Sequence, residues 1–193
     1  QVYTPKVSVI IALRNEENEI IRLLQGLKSQ IYPTDSLEFI LVNDHSTDAT
    51  LDLLEESKLD NLQIVNMPDG QFGKKNAIAK AVQIAKGEII LSSDADCSFS
   101  HNWVSTMVSY FSNANVMLVS GPVSFHKQDG ILHSLQALEF TSLIGSGAGA
   151  IGIGNAIFCN GANMAYRKSI FLEVNNFSTD KVVSGDDVFL LHN

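Results

Sequence analysis

Short apolar runs alternate with stretches of helical spacing through the first part of this chain, and that alternation limits the fold more than any other feature. Val7–Leu13, Phe39–Val42, Leu62–Asn66, Glu88–Leu91 and Val116–Val119 are the strand candidates; most are nearly continuous in apolar residues, as strands covered on both faces are. Glu17–Gln30, Ala49–Glu56, Lys74–Ala85 and His101–Phe111 lie between them and carry apolar residues at helical intervals. Ile20, Ile21, Leu24 and Leu27 are expected to share a face in the first helix, and Ala77, Ile78, Ala81, Val82 and Ala85 in the third. Pro33 ends the first helical region, and Gly87 stands where a C-terminal cap would follow the third. Such an order predicts a mostly parallel sheet between two layers of helices, an α/β/α sandwich. The alternation weakens after Gly121, which suggests one domain of 193 residues with a first half (1–121) and a differently built second half (122–193).

Open α/β sheets bind ligands at the carboxyl ends of their strands. The strand exits read Arg14-Asn15-Glu16-Glu17, Asn43-Asp44-His45-Ser46 and Asp94-Ala95-Asp96. In an extended segment residues i and i+2 point the same way, so Asp94 and Asp96 are expected to face one ligand. Two hard oxygen donors suit Mg²⁺ or Mn²⁺ carrying phosphate oxygens. Ser46-Thr47-Asp48 is a turn-and-cap signature, and Thr47 or Asp48 is expected to cap the following helix. Glu17 and Glu19 read as first-turn acids favoured by the helix dipole. Lys74 and Lys75, opening the third helix after Gly73, suit either a solvated basic start or contact with a nucleotide diphosphate.

A net charge of −8 argues against a nucleic-acid partner, because phosphate backbones call for Lys/Arg surfaces. Cys97 and Cys159 lack metal-ligand spacing and read as reduced thiols of a cytosolic setting. His45, His101, His126 and His133 lack it too and read as surface or packing residues, while Trp103 reads as core. Thr141–Cys159 is apolar and uncharged, but its glycines argue against a spanning helix and for a mobile loop or a close-packed interior segment, with Gly145–Gly154 ordering on substrate.

Taken in order, Val7–Glu16, Val42–Asp48, Gly73-Lys74-Lys75-Asn76-Ala77, Asp94-Ala95-Asp96, Asn160–Arg167 and Gly185-Asp186-Asp187 resemble the motifs of the family 2 glycosyltransferases, inverting enzymes of the GT-A nucleotide-sugar-binding fold. The resemblance spans nearly the whole chain. It implies a sugar moved from a nucleotide-diphospho-sugar, most often a UDP-sugar, to a carbohydrate or lipid-linked acceptor in cell-envelope or exported glycan or glycolipid synthesis. By resemblance Ala12, Asn15, Glu16 and Asp44 line the nucleotide pocket, with Asp44 accepting from the base. Lys74 and Lys75 meet the nucleotide or its diphosphate, Asp94 contacts the ribose or donor sugar, and Asp96 holds the metal. Gly161 and Asn163 shape the pocket floor, Asp186 lines the acceptor site, and Asp187 is the general base.

The family usually has Glu-Asp where this chain has Asp186-Asp187, and the place where its processive members carry a Gln-x-x-Arg-Trp motif would come after Asn193, so chain building and single-sugar transfer both stay open. We therefore expect a domain cut from a longer protein, in the cytoplasm or on the cytoplasmic face of a membrane, with any membrane association through segments outside it. Two alternatives are an inactive nucleotide-sugar-binding module and a nucleotidyltransferase on a related fold. The latter needs a basic Gly-rich signature after the first strand, which Arg14-Asn15-Glu16-Glu17 does not supply. A phospho-receiver would place its aspartate after the third strand, which here ends at Asn66-Met67-Pro68.

Overall fold

Strand β1 (Val7–Leu13) is the centre of the fold, pairing in parallel with β2 (Leu37–Asn43) on one side and β4 (Ile89–Ser93) on the other. The computed structural model describes residues 3–125, 129–155 and 159–177, with side chains up to residue 173. Outside β2 lies β3 (Leu62–Asn66), also parallel. Beyond β4 come β6 (Asn163–Arg167) and then β5 (Leu118–Ser120), so the sheet runs β3-β2-β1-β4-β6-β5. β6 is antiparallel to both of its neighbours. The expected parallel sheet is thus realised by five strands of one direction and a single reversed one.

Alternation along the strands divides the core in two. Val7, Val9, Ile11 and Leu13 of β1 pack with Ile20, Leu23 and Leu27 of α1 (Ile20–Lys28), Leu54 of α2 (Thr50–Glu55) and Trp103, Val104, Met107 and Val108 of α4 (Trp103–Ser109). Ile10, Ile40 and Val42 turn to the other face. There they meet Ala77, Ile78, Ala81 and Val82 of α3 (Lys74–Ile84) and Phe171 of α6 (Lys168–Phe177). Fully burying each large apolar side chain of these strands is worth roughly 1.5–3 kcal/mol. Two covered faces explain why the strands read as continuous apolar runs.

Several sequence expectations shift. In α1 the buried stripe is Ile20, Leu23 and Leu27, whereas Ile21 is half exposed, since its spacing places it one step around the helix. Gly87 caps nothing, because α3 ends at Ile84 with Ala85 extended after it. A Cβ at Gly87 would instead lie 2.4 Å from the Ser8 backbone nitrogen, so it is close chain approach that requires glycine. Glu17 precedes α1 and bridges to the neighbouring loop, while Glu19 pairs with Arg22 at 2.6 Å.

The glycine tract differs most. Thr141–Gly152 is the second half of α5 (Ile131–Gly152), a 22-residue helix of which only Gly147 and Ala150 are buried. Good helix formers through Phe140 start it, and the Ser142 and Ser146 hydroxyls donate back to the carbonyls of Leu138 and Ser142 at 2.8 Å. Among the described residues no helix is long and apolar enough to cross a membrane.

Candidate active site

The exits of β1, β2 and β4 and the start of α3 converge at the carboxyl edge of the sheet. Asn15 follows β1 in the left-handed region (φ 57°), a conformation asparagine tolerates. Its Oδ1 accepts from the Thr47 amide at 2.8 Å, and its own amide donates to Ser46 Oγ at 3.1 Å. The Glu16 amide donates to Thr50 Oγ1 at 2.7 Å, the Glu17 amide to Asp48 Oδ2 at 3.2 Å, and the Ala49 amide to Glu17 Oε2 at 3.1 Å. These bonds staple the loop after β1 to the loop after β2. Asp48 also accepts from the Thr50 amide at 3.0 Å, but the N-cap position of α2 falls on Ala49, so neither Thr47 nor Asp48 is the cap residue expected from the sequence.

Asp44 is 4% exposed and stands between two elements. Its Oδ2 accepts from the Gly73 amide at 2.8 Å, and its Oδ1 lies 2.9 Å from His45 Nδ1. His45, also left-handed (φ 60°), rests its ring on Phe72 with centroids 4.3 Å apart. Gly73 (φ 95°) opens α3, and Lys74, the next residue, pairs its ammonium with the Asp94 carboxylate. The start of α3 is therefore held by carboxylates from the ends of β2 and β4. Lys75, next on the helix, is half-buried, and Ala12 lies within the sheet on β1.

β4 stops at Ser93, and Asp94–Asp96 form a turn in which the Cys97 amide donates to the Asp94 carbonyl at 3.3 Å. The extended geometry expected for Asp94 and Asp96 is not what unites them. Both border one cavity of about 670 Å³, with Trp103, Asn160, Ala162 and Asn163 among its walls. Glu16 responds to this crowding of acids: desolvation, then the charges of Asp96, Glu19, Asp48 and Asp94, push its carboxyl above the usual glutamate range. Among the described residues no three metal-binding side chains come together.

Asn163, expected to shape the pocket floor, is among the cavity walls and also ties two segments together. Its Oδ1 accepts from Trp103 Nε1 and its Nδ2 donates to the Pro122 carbonyl, both at 2.9 Å, so the amide joins α4 to the segment after β5. Gly161 is half-buried in the turn before β6. Asp186 and Asp187 lie outside the described residues. Sequence reading assigned Trp103 to the core and gave no role to Phe99, Phe125 or Phe140. Trp103 is buried and stacks on Phe99 at 4.2 Å, yet both line the cavity, as do Phe125 and Phe140. The available signal was position: Phe99 and Trp103 follow Asp-x-Asp by only a few residues.

Three layers, this strand order and acids at the carboxyl edge make the fold that of the GT-A glycosyltransferases. It superposes on a mannosyltransferase of Pyrobaculum calidifontis, solved with GDP-Man and Mn²⁺, with a TM-score of 0.74 at 25% identity, covering 96% of this chain and 50% of that one. Staphylococcus aureus TarS, solved with UDP-GlcNAc, shares the fold with a TM-score of 0.64 at 22% identity, covering 96% of this chain and 52% of that one. The sequence profile of Glycosyl transferase family 2 matches residues 8–174, and the chain belongs to that family. Glycosyltransferase AglE of Haloferax volcanii is 33% identical over 72% of this chain and 46% of its own length. Poly-beta-1,6-N-acetyl-D-glucosamine synthase of Staphylococcus epidermidis is 27% identical over 91% of this chain and 43% of its own. The chain thus spans about half the length of these relatives.

Proposed function

We propose that this chain is the catalytic domain of an inverting glycosyltransferase that moves a sugar from a nucleotide-diphospho-sugar, with uracil as its base, to an acceptor hydroxyl in envelope or exported glycan synthesis. One observation carries the reading: Asp44, Gly73, Lys74, Asp94 and Asp96 meet at one sheet edge, linked by the Gly73–Asp44 bond and the Lys74–Asp94 pair. The family membership, and the nucleotide-diphospho-sugars bound in the two solved structures, support the donor class; uracil as the base rests on the family resemblance. The donor would be used in the cytoplasm or at the cytoplasmic face of a membrane.

The stapled loops after β1 and β2 hold the base and ribose, with Asn15, Glu16 and Asp44 around them. Lys74 exchanges Asp94 for a diphosphate oxygen. Asp96, with Asp94, would hold Mg²⁺ or Mn²⁺, which when bound neutralises charge on the departing diphosphate. Asp187, by its motif, takes the proton of the acceptor hydroxyl. The acceptor oxygen bonds to the anomeric carbon as the bond from that carbon to the diphosphate breaks. The bonding pair leaves with the nucleoside diphosphate, and attack from the opposite face inverts the configuration.

Calorimetric titration of UDP, GDP and ADP with Mn²⁺ or EDTA, on wild type and Asp96→Ala, tests this. Binding of UDP that needs Mn²⁺ and is lost in Asp96→Ala is the expected result. GDP preferred over UDP would keep the class and change the donor. No nucleotide binding, or binding indifferent to the cation, would overturn the reading.

A further inference from the structure

Asp96 is held from outside the sheet, and by its main chain. Arg22 of α1 donates from Nη2 to the Asp96 carbonyl at 2.5 Å, across 74 positions of sequence, and the same nitrogen pairs with Glu19 at 2.6 Å. Arg22 begins a row. Gly26 lies one turn on, where a Cβ would come within 3.3 Å of Phe99. A spacing of four brings residues 22 and 26 to one face of the helix. Gln30, just past the end of α1, joins them by donating to the Gly26 carbonyl at 3.0 Å. It also donates to the Ser100 carbonyl at 2.9 Å and accepts from the Val104 amide at 3.1 Å. The segment from Asp96 to Val104 is thus laid along α1, and it supplies Asp96, Phe99, Ser100 and Trp103 to the cavity.

The Asp96 side chain is treated differently from its carbonyl. The residue is exposed, with Cys97 Sγ beside its carboxylate at 3.9 Å. An arginine bound to the carboxylate itself would neutralise it and compete with any ligand there. A main-chain anchor fixes where the carboxylate stands and leaves its oxygens available. As a half-exposed pair with Glu19 alone, Arg22 would be worth little; the bond to Asp96 gives it a place in the site.

We propose that Arg22 is a positioning residue for the donor, holding the main chain of Asp96 where its carboxylate can serve the diphosphate end of the nucleotide. This rests on the glycosyl-transfer reading and adds to it a residue outside the six motifs that carry the resemblance.

Calorimetric titrations with Mn²⁺ of uridine against UDP, and of guanosine against GDP, into wild type, Arg22→Met and Arg22→Lys test this. Arg22→Met keeps the aliphatic stem and removes the donor. It should weaken binding of the diphosphate about tenfold and leave nucleoside binding and the unfolding temperature nearly unchanged. Arg22→Lys returns one nitrogen with hydrogens for both partners and should recover most of the loss. Diphosphate binding unaltered in Arg22→Met would overturn the proposal. So would equal weakening of nucleoside and diphosphate, the mark of a residue that only supports the fold, or no recovery in Arg22→Lys. If wild type binds a nucleoside diphosphate and both variants match it, the positioning role alone falls. If wild type binds none, the glycosyl-transfer reading falls and takes the positioning role with it.

Discussion

Gly121 and Asn163 show how one missing atom positions a cavity wall. A Cβ at Gly121 would fall 2.2 Å from Asn163 Nδ2, the atom that donates to Pro122, while the same amide's oxygen receives the indole N–H of Trp103. Gly121→Ala should therefore cost about 1–3 kcal/mol by overpacking. Asn163→Ala should cost about 1–3 kcal/mol by leaving the buried indole donor unpaired. The two share one cause, so the double variant should be less destabilised than the sum of the singles, which urea denaturation of all four proteins would read as a coupling energy. Additive effects would mean that Gly121 is needed for some other reason.

At the scale of elements, α5 is the test of how glycines behave in this chain. Gly145 and Gly149 lie within the helix, and a Cβ at either meets nothing within 4 Å. Each change to alanine should stabilise the helix by about 0.5–1 kcal/mol, because glycine loses more backbone freedom on folding. Thermal unfolding and slower amide exchange along residues 131–152 would show it; faster exchange would mean that these positions need glycine. Sequence periodicity located β1, β2, β3, β4 and α3 to within a few residues because both of their periods are enforced by burial. It failed for α5, whose exposed apolar residues follow no amphipathic stripe. Asp44 and Asp94 were legible as strand-end acids, but their partners were not: Gly73 is 29 residues from Asp44 and Lys74 is 20 from Asp94, and only the fold closes those distances.

For the molecule as a whole, the place of β6 matters most. It comes late in the chain yet lies between β4 and β5, contributing Ala165 to one core and Met164 and Tyr166 to the other. The expected division at residue 121 therefore runs through a continuous sheet. A fragment of residues 1–121 would leave β5 without its pairing strand and expose the edge of β4. Gel filtration and circular dichroism should find it aggregated or unfolded, and a monomeric, cooperatively unfolding fragment would show that the first half folds alone. The antiparallel insertion was illegible beforehand because nothing local in Asn163–Arg167 states a strand's direction, which shows only in its pairing with β4 and β5.

The staple between the loops after β1 and β2 has a consequence for recognition. Asn15, Glu16 and Glu17 on one side and Ser46, Thr47, Asp48, Ala49 and Thr50 on the other bond to one another through backbone and side chain. The two loops make a single jaw whose disorder was already lost in folding. If these loops hold the nucleotide as proposed, it would have little chain left to freeze, and its affinity would reflect contacts made rather than order imposed.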